Sequence, residues 1–448
     1  MKKTSVLIIG GSAAGLVAGL TSKSNYPEKD VTLIRKEEKV MIPCGIPYIY
    51  STTGTSNKNI LPDAGLEKLG VNIIVDEVIS IDKENKVCKT KDEEYTYEKL
   101  IIATGSTPSV PKWLKGAELE NVVSIPKDKV YLDEFQSKLE GLKDIVVVGA
   151  GFIGVELSDE LKKAEKNVTL VEVMPHILGM AFDEEIAVIA EEKLISNGIN
   201  LVTGVGIKEI IGKDKVEGIL LSNGEEIHAD AVVLSMGYKP NVSLAKEAGI
   251  EINEVGFIKT DQYKRTSCED IFAIGDCSEK REFSTGKLSR IMLASTACAE
   301  ARVAGLNLYK LSAVKTFPGT IGIYSTAIDE TGFGAAGLTE AQAKKEGFDI
   351  ITGSFTGMDR HPGCFKDSHS QMVKLIVSKD SGIILGGEVI GGKSAGELLN
   401  VIGFIIQNRN TIADLLVAQI GTHPLLTASP AGYPLVKAAE VVAKKMKL

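Results

Sequence analysis

Apolar positions along this chain gather into short unbroken runs rich in Val and Ile. They lie at Ser5–Ile9, Val31–Ile34, Ile145–Val148, Val168–Val171, Ala231–Ser235 and Ile271–Ile274. Runs without polar alternation predict strands buried on both faces, as in parallel sheets. Between the first two runs stand a glycine turn, Gly10–Gly15, and an Ala-rich stretch that predicts a helix. The same order returns about 140 residues later: a strand at Ile145–Val148, the turn Gly149–Gly154, a helix through about Lys166, and a strand at Val168–Val171. From about Thr316 the texture changes. Thr320–Ala327, Met372–Val377 and Ile383–Ile390 read as strands, and Thr339–Glu346 and Ala395–Gln407 as helices. That pattern predicts a separate C-terminal α+β domain.

Each strand–turn–helix–strand unit presents one helix N-terminus, and so one pyrophosphate site. The second turn, Gly149-Ala150-Gly151-Phe152-Ile153-Gly154, is a complete G-x-G-x-x-G, and Glu172 ends the following strand 23 residues after Gly149. Its glycines serve a tight turn, backbone access to the pyrophosphate, and close helix–strand packing. Glu172 is expected to bind the adenosine ribose hydroxyls and to repel a 2′-phosphate, favouring NADH over NADPH. The first turn, Gly10-Gly11-Ser12-Ala13-Ala14-Gly15, carries Ser12 where the second glycine belongs. Ser12 is small enough to admit a dinucleotide. Arg35 stands where the ribose-binding acid is expected and Glu37 follows two residues later; of the two, Glu37 is preferred as the ribose partner.

At 448 residues the chain exceeds one hydrophobic core, predicting about three domains. Hydrophobic residues at 44% and charged residues at 25% suit a soluble globular protein. A net charge of −8 argues against nucleic acid as a partner. Lys2 and Lys3 before the apolar stretch Val6–Leu20 imitate a signal peptide, but Gly10, Gly11 and Gly15 break that stretch. It is also too short to span a bilayer. The six cysteines (Cys44, Cys88, Cys268, Cys277, Cys298, Cys364) are sparse, as in a reducing cytoplasm. No Cys or His spacing matches a zinc site; His361 and His369 flank Cys364 without fitting a common metal centre.

Three further segments complete the picture. Leu100-Ile101-Ile102-Ala103-Thr104-Gly105-Ser106-Thr107-Pro108 and Leu234-Ser235-Met236-Gly237-Tyr238-Lys239-Pro240-Asn241 are matched strand-to-turn elements, one after each nucleotide unit. The third is Thr266-Ser267-Cys268-Glu269-Asp270-Ile271-Phe272-Ala273-Ile274-Gly275-Asp276. With both glycine turns, these segments resemble the pyridine nucleotide–disulfide oxidoreductases over the whole chain. The resemblance implies an α/β fold of two doubly wound Rossmann-like nucleotide-binding domains plus a C-terminal α+β dimerisation domain. It places a discontinuous FAD-binding domain at 1–112 and 243–318, an NAD-binding domain at 113–242 and the dimerisation domain at 319–448. It puts Asp276 on the FAD ribityl chain, Thr104, Gly105 and Gly237 in the turns that frame the cofactors, and Phe152 as a shield over the flavin until nicotinamide arrives.

Cys44 narrows the resemblance. Family disulfide reductases carry Cys-x4-Cys beside the flavin, whereas Met41-Ile42-Pro43-Cys44-Gly45-Ile46-Pro47-Tyr48-Ile49 has Ile49 in the second position. The chain is therefore similar to the single-cysteine branch of NADH oxidases, NADH peroxidases and coenzyme A–disulfide reductases. A lone redox cysteine cycles through a sulfenic acid or a mixed disulfide. Its thiolate is expected to be stabilised by the flavin and a helix N-terminus. The resemblance also makes His423, in the pair His423-Pro424, a proton donor and acceptor across a homodimer interface. Ala428 replaces the carboxylate that orients this imidazole in the family, and Tyr433 is a nearby phenol. The implied activity is hydride transfer from NADH through FAD to Cys44 and on to a small disulfide or persulfide, coenzyme A disulfide among them. Oxygen or peroxide is the alternative acceptor, and a non-catalytic redox sensor the alternative of another class.

Overall fold

The computed structural model describes residues 1–312 and 316–447. The first apolar run forms the strand Lys2–Ile9, with Val6, Leu7 and Ile8 fully buried, so the segment that imitates a signal peptide is strand, turn and helix. This strand is central to a seven-stranded sheet. It pairs in parallel with Val31–Arg35 on one side and with Glu94–Ile102 on the other. Asn72–Val75 extends the parallel run, and Ile271–Ala273 returns from far along the chain to pair with Leu100–Ile102. The sheet is not parallel throughout. Val78–Asp82 and Val87–Thr90 add an antiparallel ribbon with half-exposed, alternating side chains, a pattern too polar to register as a buried run.

The second unit is wholly parallel. Its five strands run in the order Asn200–Thr203, Asn167–Glu172, Asp144–Val148, Ala231–Leu234 and Val122–Ser124. A three-stranded antiparallel sheet of Ile207–Gly212, Val216–Leu221 and Glu226–His228 stands beside it. The third unit is a five-stranded antiparallel sheet ordered Ile323–Ile328, Thr331–Gly337, Ile384–Gly391, Ser370–Ser378 and Ile350–Met358. The helices Ala395–Gln407 and Pro434–Met446 pack on it through Leu399, Ile402, Ala438 and Val442. Its first strand begins at Ile323 rather than Thr320. Thr320 is tied instead to the preceding unit, its hydroxyl 2.8 Å from that of Thr296 and its carbonyl accepting from the Phe283 amide.

One apolar core runs through all three units. Met41, Ile46 and Ile49 beside Cys44 join Val155, Leu157 and Leu161 of the second unit and Ile328, Phe333 and Ala335 of the third. A buried ionic cluster reinforces the contact between the last two. Lys374, 3% exposed, reaches Asp183 at 2.9 Å, Glu185 at 2.8 Å, Glu340 at 3.3 Å and Glu388 at 3.6 Å. The Asp183 amide donates to Glu388 at 2.7 Å. Among the described residues no helix is long and apolar enough to cross a membrane.

Burial, and then the neighbouring Asp183, push the Glu388 carboxyl up to about 8. The folded protein therefore holds this proton to higher pH than the unfolded chain does. Stability falls as pH rises from the ordinary glutamate range to about 8, and is flat above. Glu388→Gln, which mimics the protonated form, is expected to raise the melting temperature by roughly 2–4 °C at about pH 9 and to leave it unchanged at about pH 5. Thermal scans of both proteins at the two pH values test this; equal shifts at both would refute it.

Candidate functional site

The two glycine turns are built alike, because each squeezes a backbone between a strand end and its own helix. The Gly10 amide donates to the Ile34 carbonyl and the Gly149 amide to the Val171 carbonyl, both at 2.8 Å. Both glycines have positive φ, +110° and +99°. A Cβ at Gly10 would lie 2.2 Å from the Ala103 carbonyl oxygen, and one at Gly149 would lie 2.6 Å from that of Ser235. The last glycine of each turn is equally constrained: a Cβ at Gly15 would meet the Gly10 oxygen at 1.8 Å, and one at Gly154 the Gly149 oxygen at 1.9 Å. The helices Ala13–Asn25 and Phe152–Lys163 start at once, leaving their first amides free of side-chain caps from Ser12 and Gly151.

Glu172 stands at the end of its strand as predicted. Its carboxylate accepts the Ala150 amide at 2.6 Å and the Met174 amide at 2.9 Å, which holds it beside the turn. A Cβ at Gly151 would touch nothing within 4 Å, so the turn opens on space at that point, just ahead of Phe152 and Ile153 in the chain. In the first unit Arg35 is not free for a ribose. Its guanidinium is bound to Asp63 at 2.5 and 2.7 Å and to the Glu37 and Glu38 carbonyls, and its stem lies under Gly11. The Glu37 carboxylate is half-buried, with Lys36 at 3.9 Å.

The two strand-to-turn segments bind each other. Ser106–Pro108 pairs antiparallel with Tyr238–Pro240. Thr104 donates its hydroxyl to the Asn241 carbonyl at 2.7 Å, and the Asn241 amide donates to the Gly105 carbonyl at 2.9 Å. The Thr104 hydroxyl is thus committed to the fold, while Gly105 and Gly237, at φ +70° and +89°, face open space. Asp276 follows Gly275, which packs against Ala14 of the first helix. Its carboxylate accepts from Ser106 at 2.7 Å and Lys127 at 2.8 Å. Burial works against the charge, but Lys127 and Ser106 hold the Asp276 carboxyl below the usual range. Lys127 is a site residue that sequence reading missed; nothing in its local pattern marks it.

Cys44 lies in the one-turn 3₁₀ segment Pro43–Gly45 and is exposed in the lone protomer. Gly45 is required beside it, since a Cβ there would lie 2.0 Å from Asn59 Oδ1. Asn59 in turn donates to the Ile42 carbonyl at 3.0 Å and straps the loop. No α-helix starts at Cys44, so the expected helix N-terminus is not there to favour a thiolate. The surrounding protein, and then Glu156, push the thiol up, while Lys127 pulls it down. Cys277, by contrast, is fully buried and donates to the Ile274 carbonyl at 3.3 Å, a packing role.

Phe152 stacks on Tyr324 of the third unit, centroids 5.1 Å apart and planes at 15°. One helical turn on, Glu156 accepts from the Thr326 hydroxyl at 2.9 Å, and Glu160 accepts from the Thr52 amide at 2.7 Å. His423 is exposed; its Nδ1 accepts the Leu425 amide at 3.2 Å and its own amide donates to Thr427 at 3.0 Å. Tyr433 is packed against the core of the third unit, and burial raises its phenol. Among the described residues one group of possible metal ligands gathers, Asp144, His228 and Asp230. Asp230 there is already accepting the Lys143 and Asp144 amides.

The residues present fit two dinucleotides: two tight glycine turns at uncapped helix starts, open space above Gly151 and Gly237, and an acid–lysine pair at Asp276 in electrostatic contact with the Cys44 thiol. Comparison with known proteins agrees. Residues 4–301 match the pyridine nucleotide-disulphide oxidoreductase model, and 324–431 match the dimerisation domain of the same group. The NAD(P)H sulfur oxidoreductase (CoA-dependent) of Pyrococcus abyssi is 33% identical over 99% of this chain and 98% of its own. An NADH oxidase of Methanocaldococcus jannaschii is 28% identical over 98% and 99%. Among solved structures, an NAD-dependent persulfide reductase from A. fulgidus superposes with a TM-score of 0.89 at 31% identity, over 99% of this chain and 84% of that one. A water-forming NADH oxidase from Lactobacillus brevis, bound to NADH, gives 0.90 at 26% identity over 99% of both.

Because Glu172 is fixed by two amides at the strand end, NADH is expected to exceed NADPH in kcat/KM. Glu172→Ala should narrow that gap about tenfold, or ~1.4 kcal/mol. Equal or better use of NADPH by the unaltered protein would sink this assignment.

Proposed function

Because this chain belongs to the pyridine nucleotide-disulphide oxidoreductase family, whose oxidoreductases work with FAD and NAD(P)H, we propose that it reduces a small disulfide or persulfide through Cys44. The observation that carries this reading is the placement of Cys44: an exposed thiol in electrostatic contact with Lys127 and Asp276. Bound FAD supplies the two-electron link between nicotinamide and sulfur. The first glycine turn, with Glu37 at the ribose, would hold the FAD adenosine end, and Asp276 with Lys127 its ribityl side. The second turn and Glu172 would hold NADH.

Phe152, stacked on Tyr324, closes the nicotinamide approach and excludes water until the cofactor displaces it. Cys44 attacks the acceptor as thiolate, forming a mixed disulfide and releasing the other sulfur as thiolate. His423 of the second protomer meets that leaving group. With Nδ1 accepting the Leu425 amide, the neutral ring carries its proton on Nε2 and offers that N–H to the leaving thiolate as a hydrogen bond, the opposite tautomer to the one a carboxylate at Nδ1 would fix. The sulfur acceptor is supported by the Pyrococcus abyssi relative, whose coenzyme A dependence makes a coenzyme A thiol the candidate partner. The second reading, oxygen or peroxide reduction through a Cys44 sulfenate, is supported by the NADH oxidase relatives. A non-catalytic redox sensor is disfavoured by the intact second turn with Glu172 held beside it, a site for NADH that a sensor cysteine does not need.

We place the working protein in the cytoplasm, with the domain limits proposed from sequence, as a homodimer joined through 319–448. Val401, Phe404, Val417, Leu425 and Leu426 stay exposed on that unit, more apolar surface than an isolated domain needs. Phe404→Asp is expected to weaken the dimer by at least tenfold in sedimentation and to lower activity with it. A fully active monomer of the unaltered protein would end both the dimer and the cross-subunit role of His423.

Cys44→Ser is expected to keep FAD and its reduction by NADH, and to lose reduction of disulfide or persulfide by at least 100-fold. In anaerobic titration the unaltered protein, with Cys44 oxidised, should take up one two-electron equivalent more than the variant. Equal uptake together with equal disulfide reduction would reduce Cys44 to packing and leave a simple flavin oxidase.

A further inference from the structure

Two lysines and one glutamate meet inside the first unit without a role in the reading above. Lys264 and Lys280 are each 2% exposed, and Glu300, on the helix Ala294–Leu306, is fully buried. One Glu300 carboxylate oxygen takes Lys264 at 3.1 Å, and the other stands 4.0 Å from Lys280. Two cations thus share one anion out of reach of solvent. Apolar side chains of similar volume often serve stability better than such a buried triad. Lys264 carries a backbone cost as well: its φ is +67°, a conformation that Gly or Asn adopts with less strain. Strain kept at such a position directs attention to what the side chain holds.

What the triad holds is the backbone around Gly275. The second Glu300 oxygen accepts the Gly275 amide at 2.7 Å and the Ser278 hydroxyl at 3.1 Å. Lys280 donates to the Gly275 carbonyl and, at 2.9 Å, to the Ser278 carbonyl. Lys264 donates to the Glu279 carbonyl at 2.7 Å, and its own carbonyl accepts the Ala273 amide at 3.0 Å. The two peptide groups that flank the Gly275 Cα are therefore gripped by opposite charges, and charge-assisted bonds are the stronger class. Gly275 has φ +73°, and a Cβ there would lie 3.0 Å from the Ala14 Cβ. Asp276 follows directly in the one-turn 3₁₀ segment Gly275–Cys277, which is too short to hold a pose by itself.

We propose that Lys264, Glu300 and Lys280 are positioning residues for the flavin: by holding both peptide groups of Gly275 they aim the Asp276 carboxylate at bound FAD. This rests on the reading that Asp276 faces the ribityl side of the cofactor. Ser106 and Lys127 bind the Asp276 carboxylate, but neither fixes the backbone that carries it. The triad does. Ala14 belongs to the helix start that would hold the FAD pyrophosphate, and Gly275 is pressed on it. The same three side chains therefore set the spacing between the pyrophosphate contacts and the ribityl contact. The grip comes from three stretches of chain, around 264, around 275–280 and at 300, so it forms only once the first unit has closed.

The test reads FAD release rather than turnover. Holoprotein is diluted, and the rise of free-flavin fluorescence gives the release rate. Two double variants carry the same buried charge: Lys264→Met with Glu300→Gln, and Lys264→Met with Glu300→Leu. Gln can still accept the Gly275 amide, whereas Leu leaves it without an acceptor. The Gln pair is expected to release FAD within about threefold of the unaltered protein, and the Leu pair about tenfold faster or more, because a buried amide is orphaned. With Asp276→Ala added to each, the difference between the pairs should shrink to about twofold or less, since the carboxylate being aimed has gone. Should the Leu pair not fold, Lys280→Met, which frees the Gly275 carbonyl, takes its place against the unaltered protein with the same outcomes. Equal release from the two pairs would overturn the proposal. So would a difference that persists in full with Asp276→Ala, which marks a general loosening of the fold. If Asp276→Ala alone releases FAD at the unaltered rate, the flavin reading of Asp276 falls and the proposal falls with it. If Asp276→Ala speeds release while the two pairs stay equal, that reading stands and the triad alone is refuted. No acceptor enters the measurement, so the sulfur chemistry of Cys44 is judged separately.

Discussion

The steric closeness of each glycine turn to its own helix governs the rest of the molecule. A Cβ at Gly15 or Gly154 would sit inside van der Waals contact of the backbone oxygen five residues earlier. The helix start is thereby forced against the strand end, and its first amides are aimed at the same point on the sheet edge in both units. The acids proposed to handle the nucleotides gather at these turns: Glu172 through its bonds to Ala150 and Met174, and Asp276 through Gly275 pressed on Ala14. A substitution that loosened the turn would displace the acid as well as the helix.

The helix Phe152–Lys163 extends that constraint to the other two units. Phe152, Glu156 and Glu160 recur every four residues, so they share one face. That face meets Tyr324, Thr326, Tyr48 and Thr52. The helix that begins at the second glycine turn thus carries residues that touch the segment after Cys44. Phe152 and Glu160, eight residues apart on this helix, are thus joined by a rigid rod of about 12 Å, at 1.5 Å per residue, rather than by a flexible linker. The Lys374 cluster serves the same rigidity on the outer side, locking Asp183 of the second unit to the C-terminal sheet.

Electrostatics around Cys44 differs from the simplest account of a reactive thiol. Lys127 is the nearby cation, but Asp276 already binds it, and Glu156 adds a charge of the wrong sign. The protein by itself therefore favours the thiol, and proton traffic becomes part of the chemistry.

Much of this was decided by local sequence. The unbroken apolar runs became the strands Lys2–Ile9, Val31–Arg35, Asp144–Val148 and Asn167–Glu172, because a strand buried on both faces leaves no polar alternation. Glycine spacing set the two turns, since only glycine tolerates positive φ at such close backbone approach. The acid at 172, the lone cysteine at 44 and the changed texture after Thr316 were equally local. The ribbon Val78–Thr90 escaped notice because its side chains alternate, and Tyr433 could be misplaced because sequence nearness says nothing of direction. Tertiary structure alone decided which groups meet. Arg35 proved bound to Asp63, Lys127 to Asp276, and Glu156 to Thr326 across separations of 28, 149 and 170 residues. The charge state of a buried side chain depends on neighbours brought by folding, and no linear pattern encodes those neighbours.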